Sequence, residues 1–143
     1  MIKEPILNEF LCICLHPSPL PLYRGGSPIQ HQIINGEKTS AVSLFKIKVG
    51  IDDGDLYAQT PLSLKGDLKK VFSEISLKGV KLTKQLLVDF VAGGINFYPQ
   101  QNLEKNPPLK RRKKEDSEIT LEKIKDLTFL NFYNLVRALD TPY

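Results

Sequence analysis

The sequence predicts an α/β domain in which a buried strand and a β-hairpin-like pair are flanked by helices, and three observations support that class. Residues 10–15 (FLCICL) are apolar at every position, the pattern of a strand covered on both faces, as in the middle of a parallel sheet. Residues 41–47 and 56–64 are extended stretches joined by a turn-rich loop with Ile51-Asp52-Asp53-Gly54-Asp55 at its acidic tip. Beyond Asp67, the residues Leu68, Val71, Phe72, Ile75, Val80, Leu82, Leu86, Leu87 and Val91 recur three and four apart, the period of an amphipathic helix.

The elements follow in order. His16 stands at the carboxyl end of the first strand, where open α/β sheets place their ligands. Prolines 17, 19 and 21 fix φ and remove backbone donors, so the loop after His16 is shaped before any ligand arrives. Gly25 and Gly26 permit close backbone approach, and Ser27-Pro28 reads as an N-cap and first-turn proline opening a short helix that Gly36 ends. Pro61 marks the second strand of the pair as an edge or a bend. Asp67 caps the long helix, Gly79 interrupts it and Gly93-Gly94 stops it; its apolar stripe reads as core, with Lys69, Lys70, Lys78, Lys81 and Lys84 in water. Residues 97–116, with Tyr98-Pro99-Gln100 and Asn106-Pro107-Pro108, read as a long surface excursion. A last helix has Thr128 as its cap and Leu127, Leu130, Tyr133, Val136 and Leu139 on one side. The sequence then ends at Thr141-Pro142-Tyr143.

A chain of 143 residues with 41% hydrophobic content suffices for one cored domain or a piece of one. The net charge of +4 lies largely in Lys110-Arg111-Arg112-Lys113-Lys114, balanced at once by Glu115, Asp116 and Glu118. That run is a local patch on a chain that is not basic as a whole, either a solvated loop or a nucleic-acid contact that neutralises phosphates. Cys12 and Cys14 are too close for easy disulfide closure, and no second Cys pair completes a zinc site, so both read as reduced small hydrophobes and no metal is expected. Met1-Ile2-Lys3-Glu4-Pro5 lacks the pattern of a signal peptide, and no apolar run nears the ~20 residues of a membrane span. The expected setting is cytoplasmic, with no membrane partner.

Taken singly, the candidate site residues are ambiguous. His16 alone is a loop imidazole, and Asp52 in an Asp-Asp-Gly-Asp run is a turn residue or a loose cation ligand. Three blocks read together are more specific: residues 15–37 (LHPSPLPLYRGGSPIQHQIINGE), 43–55 (SLFKIKVGIDDGD), and the pair 110–119 (KRRKKEDSEI) and 134–143 (NLVRALDTPY). In order and spacing they resemble the folate-dependent formyltransferases, which include methionyl-tRNA formyltransferase and the sugar-nucleotide N-formyltransferases.

The resemblance implies a partial Rossmann-like formyltransferase fold and transfer of a formyl group from 10-formyltetrahydrofolate to a primary amine, carried by methionyl-tRNA or a nucleotide-linked amino sugar. The family's reaction rests on an Asn, a His two positions later and an Asp in a D-x-G loop. Those positions fall on Cys14, His16 and Asp52, with Gly54 as the loop glycine on the cofactor side. The match fails at Cys14, where a thiol, a weak donor, replaces an amide. Tyr23, Arg24 and Gly25 match the loop beside the active site, where the arginine holds either the loop's shape or an anionic part of the acceptor. Ala41 and Ser43 stand where the family has glycine and threonine, and Arg137 matches a position near the end of the catalytic domain.

Amine attack on a formyl carbonyl builds negative charge on oxygen and positive charge on nitrogen, so a site needs a donor at the first and a proton acceptor at the second. The resemblance assigns these roles to His16 and Asp52. Family members place several β/α units ahead of the histidine motif, whereas here Met1 to Glu9 precede the strand. Residues 1–143 are therefore expected to be the carboxyl-terminal part of a catalytic domain, active only if the amino-terminal half comes from another chain or if these residues are part of a longer one. The alternative is an inactive relic or interaction fragment. Without strand neighbours, FLCICL is expected to expose edge hydrogen bonds and apolar surface.

Overall fold

A computed structural model describes residues 2–139. Strands β1 (Ile13–His16), β2 (Thr39–Lys46) and β3 (Leu56–Ser63) form one sheet in the order β1-β2-β3, antiparallel at both joints. The helices are α1 (Glu4–Glu9), α2 (Pro28–Ile34), α3 (Leu68–Val91), α4 (Leu121–Lys125) and α5 (Phe129–Ala138). The core joins Ile29 and Ile33 of α2, Val42 of β2, Leu62 of β3, Leu68, Val71 and Ile75 of α3 and Ala138 of α5. Each large aliphatic side chain so buried contributes roughly 1.5–3 kcal/mol.

The expected β2–β3 pair is present, with Pro61 on the outer strand opposite Ala41. The parallel setting expected for the first strand is corrected: β1 begins at Ile13, and its one strand neighbour among the described residues, β2, runs antiparallel. A run apolar at every position reports two covered faces and says nothing of its neighbour's direction. On one face Leu15 packs against Gly79 of α3; on the other, Cys14 lies opposite Phe45 and His16 opposite Ser43.

Helix α3 is capped as expected, the Asp67 side chain accepting from the Lys70 N–H at 2.7 Å. It runs unbroken through Gly79, because the missing side chain serves packing: a Cβ there would lie 2.5 Å from a Leu15 methyl carbon. Its apolar stripe is only partly core. Leu68, Val71, Ile75 and Leu86 are buried, whereas Val80, Leu87 and Val91 are exposed, since the stripe is wider than the strip the sheet covers. Val80 instead lines a groove of about 470 Å³ with Leu15, Ile75 and Gly79 beside β1.

Two further expectations are corrected. Ser27 precedes α2 but does not cap it; it sits at φ 51°, and its hydroxyl accepts from the Arg112 N–H at 3.1 Å. Thr128 caps α5, yet Leu130, Tyr133 and Val136 are exposed and the buried face is Asn134 and Ala138, which packs toward α2. Arg137 sets that rotation by donating from Nη1 to the carbonyls of Leu64 (2.7 Å) and Gly66 (3.0 Å). Residues 97–116 do lie along the surface as expected, with Gln100 alone among them buried, and they are tethered there. Tyr98 exchanges two 2.8 Å backbone hydrogen bonds with Leu56, and Leu109 bonds through its N–H to Arg24 and through its carbonyl to Gly26. Thr141-Pro142-Tyr143 lies outside the described residues.

Candidate active site

His16 is the last residue of β1, and its side chain shares a sheet face with Ser43 and Gln59, its successive ladder partners. That face holds the proline loop. The Ser43 hydroxyl donates to the Ser18 carbonyl, and the Gln59 amide donates to the Leu20 carbonyl (3.0 Å) and to Ser43 Oγ (2.8 Å). Gln32 of α2 reaches the Pro17 carbonyl at 3.0 Å. Prolines limit what the loop can adopt, and these buried donors select one shape.

The selected shape delivers the Tyr23 carbonyl to 3.0 Å from His16 Nε2. A carbonyl can only accept, so Nε2 carries a proton and Nδ1 is the nitrogen left for chemistry. Nδ1 lies 3.5 Å from Asp52 Oδ2, with the imidazole 8% and the carboxylate 21% exposed. That separation is longer than a tight charged hydrogen bond, so neither group is locked to the other. Asp52 sits at φ 49°, in the left-handed region, and its Oδ2 also accepts the Gly25 N–H at 2.8 Å. Gly25 itself is at φ 93°, and a Cβ there would fall 2.4 Å from the Leu109 carbonyl oxygen. Two residues 36 positions apart in sequence, His16 and Asp52, thus meet beside one loop, which holds the first through the Tyr23 carbonyl and the second through the Gly25 N–H.

The other expected residues take less direct places. Gly54 is pressed against β2, where a Cβ would lie 1.6 Å from the Lys46 carbonyl oxygen; the close approach is to protein backbone. Arg24 is buried, and its nitrogens donate to backbone carbonyls: Nε and Nη2 to Asn106 (3.0 and 2.7 Å), Nη2 also to Leu103 (3.0 Å), and Nη1 to Ile51 (3.2 Å). Of the two roles left open for this arginine, that is the geometry of one that holds loop shape. The Tyr23 phenol turns away to Glu37 Oε1 at 2.9 Å. Cys14 bounds a cleft of about 390 Å³ with Ile2, Phe45, Ile47, Ile51 and Asp52. Burial pushes the Cys14 thiol up, and the Asp52 carboxylate adds to the effect, so at neutral pH it stays protonated, 3.7 Å from the Leu15 carbonyl.

Gln100 was missed in the sequence. It is buried within the segment taken for a surface excursion, and its amide donates to the carbonyls of both Asp52 (3.0 Å) and Gly54 (2.7 Å). A polar residue between prolines gives no periodic signal, so nothing local marked it. Among the described residues, no three His, Cys, Asp or Glu side chains gather as a metal ligand set, and no helix is long and apolar enough to cross a membrane.

Comparison with known proteins bears on the family and the fold. Residues 2–91 match the family described as Formyl transferase. The methionyl-tRNA formyltransferase of Thermosipho melanesiensis is 35% identical over 145 residues, covering 98% of this chain and 44% of that protein. The solved methionyl-tRNA formyltransferase from Clostridium thermocellum superposes with a TM-score of 0.80 at 29% identity, over 99% of this chain and 59% of the other. WlaRD, a sugar 3N-formyl transferase solved in the presence of dTDP and 5-N-formyl-THF, shares the fold with a TM-score of 0.73 at 21% identity, over 88% of this chain and 45% of the other. The chain thus spans less than half the length of the curated relative it matches.

Proposed function

Because this chain belongs to the formyl transferase family, we propose that it carries the reacting pair for moving a formyl group from 10-formyltetrahydrofolate to a primary amine. The observation that carries the proposal is the approach of His16 Nδ1 to 3.5 Å from Asp52 Oδ2, a carboxylate that lines an apolar cleft. The cleft of about 390 Å³ is in the range of small-molecule sites. Its walls of Phe45, Ile47 and Ile51, ending on one carboxylate, fit the edge of a flat heterocycle that bears a reactive substituent. When bound, such a donor supplies an electrophilic carbonyl carbon.

The chain's own groups do the rest. With Nε2–H held by the Tyr23 carbonyl, a proton carried on Nδ1 lies beside the Asp52 carboxylate. That N–H is a donor for an oxygen gaining negative charge. Asp52 Oδ2 accepts the proton that the attacking amine loses as its bond to carbon forms and returns it, directly or through water, to the donor's nitrogen as the old carbon–nitrogen bond breaks, while the Gly25 N–H keeps the carboxylate aimed. Methionyl-tRNA is the acceptor this reading prefers, since the 35% identical relative is a methionyl-tRNA formyltransferase; an amino-sugar nucleotide is the competing acceptor. An amino-terminal half, as a separate chain or an upstream segment, covers the open side of β1 in the active assembly.

The test is formyl transfer from 10-formyltetrahydrofolate to methionyl-tRNA and to a nucleotide-linked amino sugar, by this chain alone and combined with a polypeptide supplying upstream β/α units. His16→Ala and Asp52→Ala are each expected to lower the rate by about 10²–10³. No transfer to either acceptor by the combined assembly refutes the reading. A second reading, an inactive relic, is favoured by Cys14, whose weakly donating thiol faces its own strand's carbonyl where the family motif has an amide. Cys14→Asn separates the two: a gain in rate on a working assembly supports the enzyme, and an inert variant supports the relic.

A further inference from the structure

The geometry points to Gln100 as a positioning residue that sets where the Asp52 carboxylate sits. This rests on His16 and Asp52 being the reacting pair. The loop from Gly50 to Asp55 holds Asp52 at φ 49°, a conformation that is uphill for a residue with a side chain, so something outside the loop must hold it. Its carbonyls are taken in turn by donors from elsewhere: Ile51 by Arg24 Nη1, Asp52 and Gly54 by Gln100 Nε2, and Asp55 by the Lys46 N–H.

Gln100 makes two of those bonds with one NH₂ group, one hydrogen to each carbonyl. The amide's orientation is unambiguous, because turning it over would set its oxygen against two carbonyl oxygens. Its remaining oxygen is buried with no hydrogen-bond partner among the described residues, so the donor half of the amide is the half that the structure uses. The side chain is not free to wander. Two residues earlier, Tyr98 is tied to Leu56 by paired 2.8 Å backbone bonds, so Gln100 stands at a fixed height over the loop. Arg24 approaches from the opposite chain direction, bonding Leu103 and Asn106 as well as Ile51. The segment from Tyr98 to Leu109 therefore acts as a brace on the Asp52 loop.

The test reads Asp52's position and not formyl transfer. In Gln100→Met, which keeps bulk and removes both donors, amide hydrogen exchange at Gly25, the N–H that donates to Asp52 Oδ2, is expected to rise roughly thirtyfold, the factor two ordinary hydrogen bonds represent. The His16 Nδ1 ¹⁵N resonance is expected to move with it, while the Val42 and Leu44 amides keep their wild-type exchange. Gln100→Glu, isosteric but without the NH₂ donors, is expected to give the same signature and serves where the methionine variant does not fold. In an active assembly either variant lowers kcat and leaves the acceptor KM unchanged. Wild-type behaviour at Gly25 and His16 overturns the proposal, as does equal acceleration of all amides. Failure of both variants to fold assigns Gln100 to general stability and likewise overturns it. A chain with no transferase activity but with these shifts defeats the functional reading and leaves the brace standing.

Discussion

Gly54→Ala probes the joint between sheet and site. The added Cβ would lie 1.6 Å from the Lys46 carbonyl oxygen and 3.3 Å from Phe45 Cδ2. A carbon and a carbonyl oxygen approach no closer than about 3.3 Å, so loop and strand must part by roughly 1.7 Å. The nearest bond across that gap, the Lys46 N–H to the Asp55 carbonyl at 2.8 Å, does not survive such a movement. Overpacking of about 1–3 kcal/mol plus one hydrogen bond of about 1 kcal/mol gives an expected loss near 2–4 kcal/mol in urea unfolding. Asp52 is two residues away and must move with the loop, and a 1 Å misplacement of a reacting group costs about 10² in rate. Stability within about 0.5 kcal/mol of wild type, the size of an ordinary surface substitution, would show that the loop does not bear on β2 as described.

Arg24→Ala leaves the carbonyls of Ile51, Leu103 and Asn106 without their shared donor and is expected to cost about 2–4 kcal/mol in chemical denaturation; Arg24→Lys, lacking the planar fork, recovers only part of it. The Tyr57 phenol, bonded to Asp89, is pushed up to about 12, so its absorbance near 295 nm should titrate there and return toward 10.0 in Asp89→Asn. The stability that the raised phenol contributes is complete below its ordinary value and is lost as pH climbs toward 12. Asp89, held below the carboxylate range first by the Tyr57 bond and then by Gln85, contributes stability above that range and loses it as the pH falls through its lowered value. Cys14, raised first by burial and then by Asp52, should react with iodoacetamide at neutral pH more slowly than a free thiol, and faster in Asp52→Asn without reaching the free rate.

Much of the fold was legible because its signals are local. Asp67 and Thr128 cap where short polar side chains precede periodic apolar runs, and Pro61 falls on an outer strand. The meeting of His16 and Asp52 could be anticipated only by matching blocks to a family, since neither residue carries the other's address. Strand direction was not legible: the FLCICL run records two covered faces, and an antiparallel neighbour satisfies that as well as a parallel one. The buried face of α5 is not legible in the sequence for a related reason. Its apolar residues outnumber the places inside, and Arg137, by bonding Leu64 and Gly66, decides that Asn134 and Ala138 go in. Gln100 was invisible because its value lies in two distant carbonyls and not in its neighbours along the chain.

The flank of α3 beside β1 has a consequence for handling the polypeptide. Val80, Leu87 and Val91 are 55%, 54% and 87% exposed, and they recur on one side of the helix that packs on β1, a strand with no further strand bonded beyond it among the described residues. Water wets such a strip at a free-energy cost that a net charge of +4 does little to offset, because charge repels at a distance and oily surfaces adhere on contact. The concentration at which the purified polypeptide stays clear is thus governed by how well this strip is shielded: a mild detergent or an apolar-stranded companion should raise that ceiling where a change of salt does not.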